Sequence, residues 1–174
     1  MTLPLTTSVA AILARDLEAF RRSLAAYPDD ASVWRPAAGL PNSAGTLALH
    51  VAGNLRHFVG AVLGGSGYVR RREEEFTATG LPRAELDALL ARTAQEVRAA
   101  LARLDLADLD RDFPAPAGGL RVATGDFLVH LGTHLAFHLG QADAHRRAVT
   151  GEPAGIGAVA VRDLASARPE GGRD

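Results

Sequence analysis

Histidine is the residue type in this chain whose spacing could do chemistry. All six histidines fall in two short stretches, 50–57 and 130–145. On an α-helix, His134 and His138 would stand about 40° apart and about 6 Å along the axis. An i,i+4 pair of this kind can set two imidazoles on one cation, which is why helical His-x3-His pairs bind metals. His130 extends the row one turn earlier, His145 lies two turns later on nearly the same face, and Gln141 falls among them. His50, Asn54 and His57 form a shorter row at i, i+4 and i+7. A third imidazole from that row would complete a three-nitrogen set and leave coordination positions open to water or substrate. Of the two candidates His50 is preferred, because Leu47, Leu49 and Val51 flank it, whereas Arg56 stands beside His57. Taken singly, His57, His130 and His145 read as supporting or surface groups.

These rows need helices to carry them, and four segments show helical periodicity. The first runs from about Thr7 to Ala26 on an apolar stripe of Val9, Ile12, Leu13, Leu17, Phe20 and Leu24, and Pro28-Asp29-Asp30 ends it. In the loop that follows, Trp34 reads as an anchor against the helices. The second segment starts at Asn42 or Ser43, either of which can cap free N–H groups, and stops at Gly64-Gly65. Gly64-Gly65-Ser66-Gly67 is a helix stop rather than a phosphate loop, since no Lys-Ser/Thr follows it. The charge run Arg70 to Glu75 reads as a solvated helical turn held by opposite charges. The third segment begins at Pro82 and reaches Leu101. An acidic, proline-containing loop from Asp105 to Gly119 leads to the fourth, from Thr124 as N-cap to about Val149, with Gly151 as its C-terminal cap. No strand-like alternation of useful length and no internal repeat is present. The expected fold is therefore all-α, a four-helix bundle over residues 1–167 with a flexible tail at 168–174.

Composition narrows the chemistry. The chain has no cysteine, so any transition metal must sit on nitrogen and oxygen ligands. Apolar residues make up 47% and the formal net charge is -1, which suits a packed domain and gives no electrostatic footprint for nucleic acid. All 19 basic residues are arginine, which removes lysine from the possible Schiff-base nucleophiles. No apolar stretch is long enough for a membrane span and no export signal is visible, so the expected location is cytoplasmic.

The stretch from His130 to Arg147, HLGTHLAFHLGQADAHRR, resembles the closing motif of DinB-like (YfiT-like) proteins, in which a His-x3-His pair precedes Gly-Gln. Leu49-His50-Val51-Ala52-Gly53-Asn54 resembles the second-helix histidine segment of that family. Trp34-Arg35-Pro36 followed by Asn42-Ser43 resembles the loop leading into it. The resemblance spans roughly Val9 to Gly151. It implies a four-helix bundle of up-down-down-up topology and a divalent metal, zinc or nickel, on His50, His134 and His138. It also implies a homodimer, and for some relatives a transferase or isomerase reaction that uses a low-molecular-weight thiol such as bacillithiol or mycothiol. His130 is an extra histidine beyond the minimal pair, so it competes with His134 and His138 for the two ligand places.

Three functional readings follow. The first is a divalent-metal-dependent enzyme acting on a small molecule through a thiol, with Asn54, His57, His130 and Gln141 supporting ligands or substrate. No carboxylate falls on the histidine stripes, so the cation would keep a net positive charge and stabilise an anionic nucleophile. The second is a metal-dependent hydrolase, with Asp16 or Asp126 as carboxylate partner. The third is a non-catalytic metal-binding protein connected with stress. If the second and fourth helices run antiparallel, His57 should lie towards Asp126 and His130; if parallel, it should approach His145 instead.

Overall fold

A computed structural model describes residues 5–170. Residues 171–174, the end of the expected tail, lie outside it, and Arg168 to Glu170 are exposed. The described chain is all-helical, with no strand among the described residues beyond isolated bridges. Helix α1 spans Leu5–Ala25, α2 Ala44–Leu55, α3 Arg72–Thr77, α4 Arg83–Leu101, α5 Leu106–Leu109 and α6 Thr124–Thr150. Among the described residues, no helix is long and apolar enough to cross a membrane.

The four long segments form because each has one apolar face to bury. In α1, Val9, Leu13, Leu17, Phe20 and Leu24 are buried, while Ile12 of the expected stripe sits at the edge, partly exposed. Leu86, Leu90, Val97 and Leu101 supply the face of α4, and Phe127, Leu128, Leu131, Leu135 and Leu139 that of α6. In α2 nearly every residue is buried, so this helix runs through the middle of the packing. Helix α1 packs on α4 and α6, and α2 on α4, α6 and the short α3.

Side-chain contacts give the relative directions. Arg21, near the end of α1, holds Asp87 at the start of α4 with two hydrogen bonds of 2.7 and 2.9 Å, so these two helices run antiparallel. Helix α2 runs antiparallel to α6: His50 packs on His138, whereas Phe58 beyond it packs on Phe127. The antiparallel alternative is thus the one the chain adopts. At the far end of α6, the buried His145 donates from Nε2 to the Arg35 carbonyl and accepts at Nδ1 from the Tyr27 hydroxyl, each at 2.7 Å. Burial pushes the Tyr27 phenol up, so it stays a donor. His145 therefore ties the ends of α1 and α6 to the loop between α1 and α2.

Capping and loop chemistry set the boundaries. The Ser43 side chain accepts from the Thr46 N–H at 3.1 Å, the expected cap of α2. Replacing it with alanine is expected to lower stability by about 1 kcal/mol in denaturant unfolding. Gly151 takes φ 73° after the last turn of α6, the left-handed conformation that glycine adopts without strain. Thr124 does not cap α6. Ala123 occupies that position, and the Thr124 hydroxyl instead donates to the Arg111 carbonyl, because the preceding loop packs directly beneath it. Trp34 anchors its loop as expected, donating from Nε1 to the Leu81 carbonyl at 3.0 Å and lying over Gly45, where a Cβ would come within 2.7 Å of its ring.

Helix α2 does not stop at Leu55 but widens into a π-helical stretch, Arg56–Leu63. The turn closes with the Gly64 N–H on the Val59 carbonyl, an i→i+5 bond of 2.9 Å. Arg56 in this stretch grips Glu96 of α4 with two hydrogen bonds of 3.0 Å.

Candidate metal centre

The His134–His138 pair behaves as its spacing demands, and α2 brings His50 across to meet it. His134 Nε2 lies 3.1 Å from His138 Nε2 and 3.4 Å from His50 Nε2. One ligating atom from each of the three can be chosen so that all lie within 4.8 Å of one another. A tetrahedral cation with bonds of about 2.0–2.1 Å spaces its nitrogen ligands about 3.3 Å apart. The two Nε2 separations bracket that value.

The outer ring nitrogens explain why the Nε2 atoms face inward. His50 Nδ1 donates to Glu75 Oε2 at 3.0 Å, and His138 Nδ1 donates to Gln141 Oε1 at 2.7 Å. A neutral imidazole that donates from Nδ1 presents a lone pair at Nε2. Two such lone pairs point at His134, whose single Nε2 proton could serve only one of them. Burial, aided by the neighbouring His138 and His50, pushes His134 down to about 4. At neutral pH His134 thus stays unprotonated, and burial lowers His138 as well, the donor chemistry that suits a divalent cation. His50, His134 and His138 would hold it.

Behind His50 stands a group that the sequence reading placed in solvent. Glu75 is only 5% exposed and receives two hydrogen bonds from Arg70, of 2.7 and 2.8 Å. Burial alone would raise its carboxyl, but the bonds from Arg70 and His50 outweigh it and leave the pKa lowered. Arg71, Arg72, Glu73 and Glu74 are exposed, so the solvated reading holds for the middle of the run and fails at its two ends. The cause is tertiary: α3 packs on α2 where Gly53 leaves room, and a Cβ on Gly53 would come within 2.1 Å of Glu75 Oε1. Phe76 then lays its ring 4.9 Å from that of His50.

The remaining candidates surround this group at different distances. His130 is exposed, with its ring 6.1 Å from that of His134 and stacked on Phe127. His57 does not join the three-histidine group; burial and the Arg70 charge lower its pKa, partly offset by Glu75. Asn54 follows His50 by one turn and is buried, with its Oδ1 lacking any hydrogen-bond partner. Gln141 is the acceptor for His138. Neither Asp16 nor Asp126 belongs to the three-histidine group; Asp16 is buried and paired with Arg15, while Asp126 is exposed.

A cleft of about 460 Å³ opens beside the centre, with Asn54, Phe58, Asp126, Phe127 and His130 on its walls. The loop after α5 forms its other side. There Gly118 and Gly119, at φ 58° and 82°, make a two-residue turn between Ala117 and Leu120. Both positions need positive φ, which glycine supplies at least cost.

The histidines make metal-free stability depend on pH. His134 is lowered as described, and burial lowers His138 and His145 against hydrogen bonds with Gln141 and Arg35 that act the other way. All three bind protons more readily in the unfolded chain. Metal-free protein is therefore expected to keep its full stability above the unfolded imidazole value of about 6.5 and to lose it progressively as pH falls below that. Melting of chelator-treated protein between pH 7.5 and 5 checks this, above the range where carboxylates contribute. An unchanged midpoint would contradict it.

Fold and site together define an all-helical protein with a three-histidine, cation-ready centre shared by two antiparallel helices. The chain belongs to the DinB superfamily, whose family model matches residues 12–142. A solved structure described as the conserved protein of locus from Enterococcus faecalis is similar in fold, with a TM-score of 0.70 and 20% identity over 87% of this chain and 100% of that one. No curated protein matches at a significant level.

Proposed function

We propose that this chain is a divalent-metal-dependent enzyme, with zinc or nickel on His50, His134 and His138, that transfers or isomerises a small-molecule substrate with a low-molecular-weight thiol. The observation that carries this reading is the convergence of three Nε2 atoms whose outer nitrogens on His50 and His138 are already committed. Three neutral ligands leave the bound cation Lewis-acidic, able to hold a thiol or water as its anion at neutral pH. Glu75 and Gln141 would fix the tautomers of His50 and His138. Arg70 offsets the charge of Glu75, so little negative charge from behind His50 weakens that acidity. His130, exposed beside His134, is placed to move a proton to or from substrate, and Asn54 to orient it. The helix directions support the up-down-down-up bundle that the family resemblance implies.

A second reading, a metal-dependent hydrolase, draws support from Asp126, a carboxylate that shares the cleft with His130. A panel of thiols with an electrophilic acceptor, run on chelated and metal-reloaded protein, separates the two. The thiol reading expects turnover only when metal and thiol are both present. Ester or amide turnover without thiol would favour the hydrolase, and stoichiometric metal binding without any turnover would favour a non-catalytic protein.

A further inference from the structure

Among the described phenylalanine, tyrosine and tryptophan residues, only Phe76 at 37% and Phe137 at 62% are exposed. They stand on different helices, α3 and α6, yet each lies against one of the three clustered histidines. The Phe76 ring is centred 4.9 Å from that of His50, and the Phe137 ring 5.3 Å from that of His138. His50 and His138 are themselves 4.9 Å apart, so the four rings form one continuous run with a phenyl at either end. A single exposed apolar side chain is ordinary on a protein surface, but the two exposed phenyls of this chain flank the same polar cluster. Folding does not account for either position. Phe76 sits in a short helix whose Arg72, Glu73 and Glu74 face water, and Phe137 has the exposed Thr133 and Gly140 beside it on α6. The Arg72 guanidinium lies over the Phe76 ring at 5.1 Å, a contact that favours one placement of that ring.

We propose that Phe76 and Phe137 determine specificity, forming an apolar rim that receives an aryl group carried next to the atom of the substrate or thiol that reaches the histidines. This rests on the metal-dependent reading and narrows its substrates to aryl-bearing small molecules. Aromatic rings that meet edge to face or offset gain more than the area they bury accounts for. An aryl group seated on the rim also keeps water from the histidines, which strengthens the electrostatic interactions made there. A small polar substrate gains neither.

The test uses the full chain loaded with nickel and two probes, benzyl mercaptan and 2-mercaptoethanol, titrated through the thiolate-to-nickel charge-transfer absorption. Benzyl mercaptan is expected to bind more tightly. Phe137→Ala, at an exposed position, is expected to reduce that preference about three- to tenfold while nickel content stays unchanged. Phe76→Leu should move it in the same direction, and Val129→Ala, exposed two turns earlier on α6, should leave it alone. An equal preference in Phe137→Ala and the parent, or an equal fall in Val129→Ala, would overturn the proposal. So would a Phe137→Ala variant that changes only the sedimentation of the protein, which would place that ring between two copies of the chain. The rim is read a second time on chelator-treated protein by NMR titration with benzyl alcohol. Shifts are expected around Phe76, Phe137 and His138, with weaker binding in Phe137→Ala; shifts centred elsewhere would overturn the proposal. Failure of the metal reading shows as protein that retains no nickel and leaves this second titration to decide. Loss of the ring preference with nickel retained counts against the rim alone.

Discussion

Replacing His134 with alanine is expected to remove the bound cation almost completely, and more thoroughly than any other single change. Its Nε2 is the middle atom of the three, within 3.1 Å of one partner and 3.4 Å of the other. Without it, His50 and His138 offer two ligands from different helices, and neither Gln141 nor Glu75 can substitute while engaged with their outer nitrogens. Affinity for zinc or nickel should fall by more than about a hundredfold, beyond the usual cost of losing a group that merely supports a ligand. Elemental analysis of protein purified without an affinity tag, followed by calorimetric titration of the stripped protein, measures this directly. His50→Ala and His138→Ala should behave alike, whereas His57→Ala should retain the metal. Equal metal content in the His134 variant and the parent would remove the basis for the proposed chemistry. Retention in His138→Ala with loss in His130→Ala would instead mean that the ligand pair lies one turn earlier on α6.

The second large effect is expected from a residue that never touches the cation. Gly53→Ala introduces a methyl group whose carbon would lie 2.1 Å from Glu75 Oε1, too close for the carboxylate to stay where it is. Displacing Glu75 strips His50 Nδ1 of its acceptor and leaves the part-buried Arg70 guanidinium without its partner. Helix propensity alone would make Gly53→Ala stabilising by about 1 kcal/mol, so a loss of stability here would report the clash and the broken pair. Glu75→Gln tests the same link with almost no change in volume and should weaken metal binding about 10–100-fold. The comparison is informative because the two variants reach His50 by different routes. Unchanged metal affinity in both would mean that the His50 ring is held by packing alone, for instance against Phe76.

The parts of the molecule legible from sequence are those governed by local periodicity. Leu13, Leu17 and Leu24, or Leu86, Leu90 and Val97, repeat at helical spacing because one face of each helix is buried, and that pattern survives without tertiary knowledge. The His134–His138 pair is legible for the same reason, and the choice of His50 over His57 followed from its apolar flanks. Glu75 was not legible in this way. It sits in a six-residue helix too short to show a period, among charges that do face water, and only its packing against Gly53 buries it. A signal was nonetheless present, since a glycine inside a helix is costly and often marks the close approach of another group. The π-helical turn after Leu55 and the cleft between α6 and the loop after α5 depend on contacts between distant segments, which spacing cannot encode.

His50 and His134 are separated by 84 positions in the chain, yet their ring nitrogens all but touch. An ion gripped by both acts as a clasp, holding shut a long excursion that includes α3, α4 and α5. Such a clasp favours the folded form over the unfolded one by mass action, by about 4 kcal/mol when free ion exceeds its dissociation constant a thousandfold. With an ion bound there, heat resistance and metal supply would be linked, and a cell starved of the ion would hold a protein easier to unfold and easier to degrade.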